Sequence, residues 1–167
     1  NAAGTGTNFE LWKSDGTANG TVLVKEILAG TTGSGPTNLT LFNNQVFFSA
    51  TNGTNGRELW KSDGTDAGTV IVKDINPNAA NSTPQNLFAH NGLLYFAAND
   101  GTNGNEPWTS DGTLAGTALL RNIYSGSTAS GPRDFVSIGN TVLFIASTSA
   151  AGAELWKSDG TNAGTVI

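Results

Sequence analysis

The chain repeats itself at a fixed step, and that property restricts its fold more than any other. The string ELWKSDGT starts at Glu10 and returns unchanged at Glu58 and Glu154, with EPWTSDGT at Glu106, a constant spacing of 48 in residue number. Gly-Thr pairs at Gly20, Gly68, Gly116 and Gly164 keep the same step, as do Pro36, Pro84 and Pro132, and Phe48, Phe96 and Phe144. A fixed register of this length marks an architecture in which each unit buries its apolar surface against the next.

Within one unit the pattern predicts four short strands. The first is NLTLF at 38–42, entered from Pro36. A turn of NN, NG or GN follows, residues that tolerate positive φ in tight hairpins. The second strand reads VFFSA, LYFAA or LFIAS. It is apolar almost throughout, so both faces are expected to be buried. ELWKS is the third strand. DGTxxGT then leads to the fourth, TVLVKEI, which sets Val22 and Val24 against Leu23 and Lys25. No window carries helical periodicity with caps. Four antiparallel strands in a unit of this length match one propeller blade. The expected fold is therefore all-β, of β-propeller type, with about three and a half blades. A solenoid has shorter coils, and a sandwich needs no such identity between units.

The chain is expected to form one repeat domain over 1–167. It divides into a half unit at 1–33, full units at 34–81 and 82–129, and a final unit at 130–167 with a truncated last strand. Residues 1–9 align with 49–57, the loop before the third strand. Fourteen strands result. The expected setting is a segment of a longer array or half of a two-chain ring, since two copies would give seven blades. Open-ended head-to-tail assembly is the third option.

Composition narrows the partners. Glycine, at 22 of 167 residues, is about twice its usual share, and charged residues, at 13%, are about half of theirs. The net charge is −5 and the 8 basic residues look scattered singly, so no nucleic-acid or membrane-surface patch is expected. The longest apolar run, Leu93–Ala98, is far short of the ~18 residues of a membrane span. Without cysteine there are no disulfides and no thiol catalysis. Without any methionine, the chain is expected to be a processed product or a piece of a longer protein.

The repeated polar residues resemble a catalytic kit, but each has a structural reading. Trp12, Trp60, Trp108 and Trp156 could stack on sugar rings, yet a tryptophan in every unit is what a repeating core needs. Ser14, Asp15, Gly16 and their counterparts Ser62, Asp63, Gly64, Ser110, Asp111, Gly112, Ser158, Asp159 and Gly160 suit a turn, with side-chain oxygens accepting backbone N–H bonds and glycine supplying positive φ. Glycoside hydrolysis needs two acids converging on one site. Glu10, Glu58, Glu106 and Glu154 instead follow the repeat, and are expected to pair with a lysine such as Lys13 or to accept backbone bonds. No catalytic or cofactor-binding residue is assigned. The one weak metal candidate is calcium at Asp100, Asn103 and Glu106, although Asp100 becomes Asn52 and Thr148 in the other units. His90 aligns with Phe42 and Ile138, and one histidine without cysteine cannot build a zinc site. The glycine runs GTTGSGP and GSTASGP open no helix and are not phosphate loops. Asn19, Asn38, Asn52 and Asn81 head N-x-S/T sequons and are expected in exposed loops.

The pattern at Glu58–Ile75, ELWKSDGTDAGTVIVKDI, resembles the bacterial ELWxxDGT repeat family over essentially the whole chain. SDGT is also similar in kind to the sialidase Asp-box, an architectural turn. The third unit departs from the repeat at Pro107 and Thr109. A strand proline lacks a ladder donor, and its nitrogen is expected to point away from the sheet partner. The resemblance implies an extracellular or cell-surface bacterial setting and no reaction. The expected function is a structural or adhesion module whose partners are other repeats or copies of the same protein, with glycans or surface proteins as further contacts. The alternatives are a glycan-binding propeller and a sialidase- or lyase-type enzyme.

Overall fold

The structure, a computed structural model, describes residues 8–167. The stretch 1–7, which opens the half unit, lies outside the described residues. Among the described residues there are thirteen strands and no helix. The half unit holds β1 (Leu11–Lys13) and β2 (Val22–Lys25). The next holds β3 (Thr37–Phe42), β4 (Gln45–Thr51), β5 (Arg57–Ser62) and β6 (Val70–Lys73). The third holds β7 (Gln85–His90), β8 (Leu93–Asn99), β9 (Asn105–Ser110) and β10 (Ala118–Leu119). The last holds β11 (Arg133–Ile138), β12 (Thr141–Thr148) and β13 (Gly152–Ser158). The four sheets are antiparallel meanders in chain order. In place of a fourteenth strand there is one bridge, Lys157 to Val166.

Local chemistry explains the hairpins. Asn43 and Asn44 both take positive φ, as do Asn91 and Gly92, which matches the twist of the flanking strands. Each first strand also carries a bulge. Asn38, Asn86 and Asp134 all sit at φ 57, where the pairing with the second strand slips. The sequon residue Asn38 is therefore inside β3 rather than in a loop, and its amide donates to Pro84 O at 3.4 Å. The counterpart Asn86 donates to Pro132 O at 3.0 Å. First strands β3, β7 and β11 thus lie beside one another across the units.

The sheets stack face to face. Along β4, Phe48 and Ala50 face backward onto Leu11, Val24 and Ile27 of the half unit, together with Trp60. Phe47 points the opposite way and joins Phe42, Leu59, Val72 and Ile75 against Leu94, Phe96, Ala98 and Trp108 of the following unit. This two-sided burial is why the second strand has no polar face. Each fully buried phenylalanine contributes about 1.5–3 kcal/mol relative to exposure.

Pro107 pairs with Ala97 of β8, and it has no N–H to offer a partner. Its carbonyl accepts from Leu120 N at 2.9 Å, and β10 stops after two residues where β6 has four.

Candidate functional site

The SDGT segment is a closed hydrogen-bond circuit. Thr21 Oγ1 donates to Thr17 O at 2.7 Å, which commits its only proton. In the 2.7 Å contact between Ser14 Oγ and Thr21 Oγ1, Ser14 is therefore the donor. Ser14 Oγ in turn accepts from Gly16 N at 3.1 Å. Asp15 Oδ1 accepts from Thr17 N at 2.9 Å and from its hydroxyl at 2.8 Å. Thr17 Oγ1 accepts from Gly20 N at 2.9 Å. The same bonds recur around Ser62 and Asp63, Ser110 and Asp111, and Ser158 and Asp159.

Both glycines of each turn have a reason. Gly16, Gly64, Gly112 and Gly160 take φ between 86° and 93°. A Cβ on Gly68 would lie 2.1 Å from Asp63 Oδ1, and the equivalent glycines meet the equivalent aspartates as closely. Gly68→Ala is therefore expected to cost about 1–3 kcal/mol by displacing that carboxylate, which a thermal melt would register as a lower midpoint. The turns also pack. Gly112 lies against Phe47 of the preceding unit, and Gly160 against Leu93 and Tyr95.

The motif glutamate holds the connection to the next unit. Glu58 is fully buried and accepts from Ile75 N at 2.8 Å, Ser82 N at 3.0 Å and Ser82 Oγ at 2.5 Å. Glu106 accepts from Ile123 N, Tyr124 N, Ser130 N and Ser130 Oγ. Glu10 binds Ile27 N, Leu28 N, and both donors of Ser34. In each case the carboxylate ties the end of the fourth strand to the segment entering the next unit. The expected partner Lys13 is elsewhere. Its Nζ donates to Gly64 O at 2.8 Å.

That lysine belongs to a set whose role the sequence did not suggest. Lys61 Nζ donates to Gly112 O at 2.9 Å. Lys25, Lys73 and Arg121 reach carbonyls of the following turn at Asp66, Thr117 and Thr165. The basic residues are not scattered. Most keep the same step as the motif and bond one unit to the next. Their common step was the available signal.

Charge and burial set a pH profile. Burial pushes the Glu58 carboxyl up from 4.5 to about 7, outweighing its hydrogen bonds from Ser82 and Ile75, and Glu106 is raised for the same reason. The four turn aspartates are lowered. For Asp15 the Thr17 N–H contributes most and its hydroxyl next, while for Asp63, Asp111 and Asp159 the threonine hydroxyl comes first. A raised acid contributes stability that is complete below its unfolded value and is lost as pH rises through the folded one. A lowered acid contributes stability present above its unfolded value and lost as pH falls through the folded one. Stability is therefore expected to peak near pH ~5 and to decline toward pH ~7.5. Urea midpoints measured across this range check it; a steady rise to pH ~7.5 is the contrary result.

Three tryptophans are interior. Trp60, Trp108 and Trp156 are each 6% exposed, whereas Trp12 is 39% exposed. Trp156 packs on Phe144 at 6.4 Å between ring centres, with the Arg121 guanidinium 5.9 Å from its own centre. Trp12 borders a cavity of about 120 Å³ lined mainly by Leu11, Val24, Leu39 and Val46.

The calcium candidate does not assemble, because Glu106 is turned to the donors named above. Asp100 and Asn103 belong instead to a side-chain chain in which Asn122 Nδ2 donates to Asn103 Oδ1 and Asn103 Nδ2 to Asp100 Oδ2, each at 2.7 Å. The preceding unit has the same chain reversed, from Asn52 to Asn55 at 2.9 Å and on to Asp74 at 2.8 Å. Each chain holds one carboxylate at its accepting end, so the donor direction follows the acid. Burial pushes the Asp100 carboxyl up, but bonds from Asn103 and Thr102 outweigh it and hold it low. Among the described residues no three His, Asp or Glu side chains gather as metal ligands. His90 is half-buried and stacks on Phe88 at 6.3 Å.

Among the described residues, no helix is long and apolar enough to cross a membrane. No protein-family model matches the chain, and no curated protein matches it. Among solved structures, it is similar to the crystal structure of the computationally designed Ika8 protein, at 15% identity and a TM-score of 0.44. That likeness covers 85% of this chain and 38% of the designed one, and at this TM-score it carries no argument about fold or function.

Proposed function

We propose that the chain is a non-catalytic structural and adhesion module of a secreted or cell-surface bacterial protein, built of consecutive β-propeller blades. One observation carries this reading: at the interior junctions the recurring polar groups are bonded within the chain itself. Serine, aspartate and threonine close the turn, glutamate clamps the connection, and lysine bonds the next unit. A catalytic group needs a free face toward substrate, and the buried Glu58 and Glu106 have none. The propeller reading rests on the meander order of each sheet, the face-to-face stacking, and the close approach of β3, β7 and β11. The motif's resemblance to ELWxxDGT repeats supplies the extracellular setting. Partners are other repeats or copies of the same protein, with surface proteins as further contacts.

A glycoside-substrate screen tests the absence of catalysis. No turnover above buffer is expected, and turnover abolished by Asp63→Asn would overturn the reading. A lectin-like function has one observation in its favour, the exposed Trp12 beside its cavity. Glycan binding that is lost in Trp12→Ala, in a chain that keeps its fold, would favour it.

A further inference from the structure

Every unit has a forward face and a backward face, and the interior junctions define both. The forward face carries Leu11, Leu59 or Leu155 on the third strand and Phe42, His90 or Ile138 on the first. The backward face carries the tryptophan and the residue at Leu23, Ile71 or Leu119. At interior junctions these surfaces cover one another. Leu11 lies with Trp60 and Ile71, and Leu59 and Phe42 with Trp108 and Leu119.

Among the described residues, the same positions are open at the two ends of the stack. Leu155 is 60% exposed where Leu59 is 0%, and Ile138 is 68% exposed where Phe42 is 5%. Trp12 and Leu23 are exposed at the opposite end. One end thus presents a forward face and the other a backward face, two surfaces whose interior counterparts fit each other. The polar contacts follow the same logic. Lys13 and Lys61 each donate to the glycine carbonyl of the next turn. Lys157 holds the same position at the forward end, and Gly16 heads the equivalent turn at the backward end.

We infer that the forward end of one copy docks on the backward end of a second copy, head to tail. Leu155 and Ile138 cover Trp12 and Leu23 of the second copy, and Lys157 Nζ donates to the carbonyl of its Gly16. The contact is heterologous, so a docked pair keeps one free forward end and one free backward end. This deepens the partner reading above, and its failure leaves the non-catalytic module standing, because turnover tests that separately.

Sedimentation velocity on the 167-residue chain and two end variants tests it. The wild type is expected to grow beyond 17.1 kDa as its concentration rises. Trp12→Glu and Leu155→Glu should each sediment as a monomer, since each lacks one end. Mixed in equal amounts they should form a species of twice the monomer mass, because each keeps the end the other needs. Circular dichroism reports whether each variant is folded. Should Trp12→Glu lose its strand signal, Leu23→Glu replaces it, and Ile138→Glu stands in for Leu155→Glu. A monomeric wild type, single variants that associate like the wild type, or folded variants that remain monomeric when mixed would overturn the inference.

Discussion

Trp108→Ala is expected to lower the unfolding free energy by about 3–5 kcal/mol. Its indole lies among Phe42, Phe47, Leu59, Leu94 and Phe96, on the surface that joins two units. Truncation opens a cavity that both sheets line, and sheets anchored at their first strands cannot collapse freely into it. The loss is one of packing alone, because the buried Nε1 has no acceptor among the described residues. Trp108→Phe should accordingly cost well under half as much. Trp12→Ala, at the same repeat position but 39% exposed, should cost less than about 1 kcal/mol. Urea titration of the three variants, read as midpoint and slope, separates these outcomes. Equal losses at Trp12 and Trp108 would mean that the indole acts within its own unit.

Glu58→Gln should cost about 2–4 kcal/mol although the side chain barely changes shape. Oε2 faces Ile75 N and Ser82 Oγ, while Oε1 faces Ser82 N. A glutamine amide must aim its NH2 at one of those donor sets, whichever way it is turned. A buried donor then loses its acceptor and a second donor is pressed against it. The same substitution removes the group whose ionisation weakens the wild type as pH rises toward about 7. The variant's stability should therefore fall less steeply than the wild type's between pH ~5 and ~7.5. An unchanged pH slope in Glu58→Gln would assign the wild-type decline to another group.

Much of this fold is legible in the sequence, and the reasons are particular. The constant step of the motif sets the units. Because Phe47 and Phe48 stand next to each other, the second strand must have two apolar faces, and opposite sheets cover them. The Asp-Gly-Thr turn is readable because its partners lie within seven residues, inside one segment. What was not legible spans units. Ile75 and Ser82 are 17 and 24 residues beyond Glu58, at the far side of a strand and a connection whose path no local pattern fixes. Lys61 reaches a carbonyl 51 residues away. Closeness in sequence also misled. Asp100, Asn103 and Glu106 share a loop and the start of β9, yet the strand turns the glutamate toward Ser130 and leaves the other two with Asn122. Asn38 looked like a loop sequon because its bulge at positive φ has no signature beyond the asparagine itself.

If ELWxSDGT is a junction device, Glu154 is its internal control. This residue sits in the same eight-residue string as Glu58, but the donors 17 and 24 residues ahead of it would lie past Ile167. The most direct test is denaturant unfolding of Glu58→Gln, Glu106→Gln and Glu154→Gln side by side. Losses of about 2–4 kcal/mol are expected for the first two and less than about 0.5 kcal/mol for the third. Equal losses at all three positions would contradict the junction role, and so would no loss at Glu58 and Glu106.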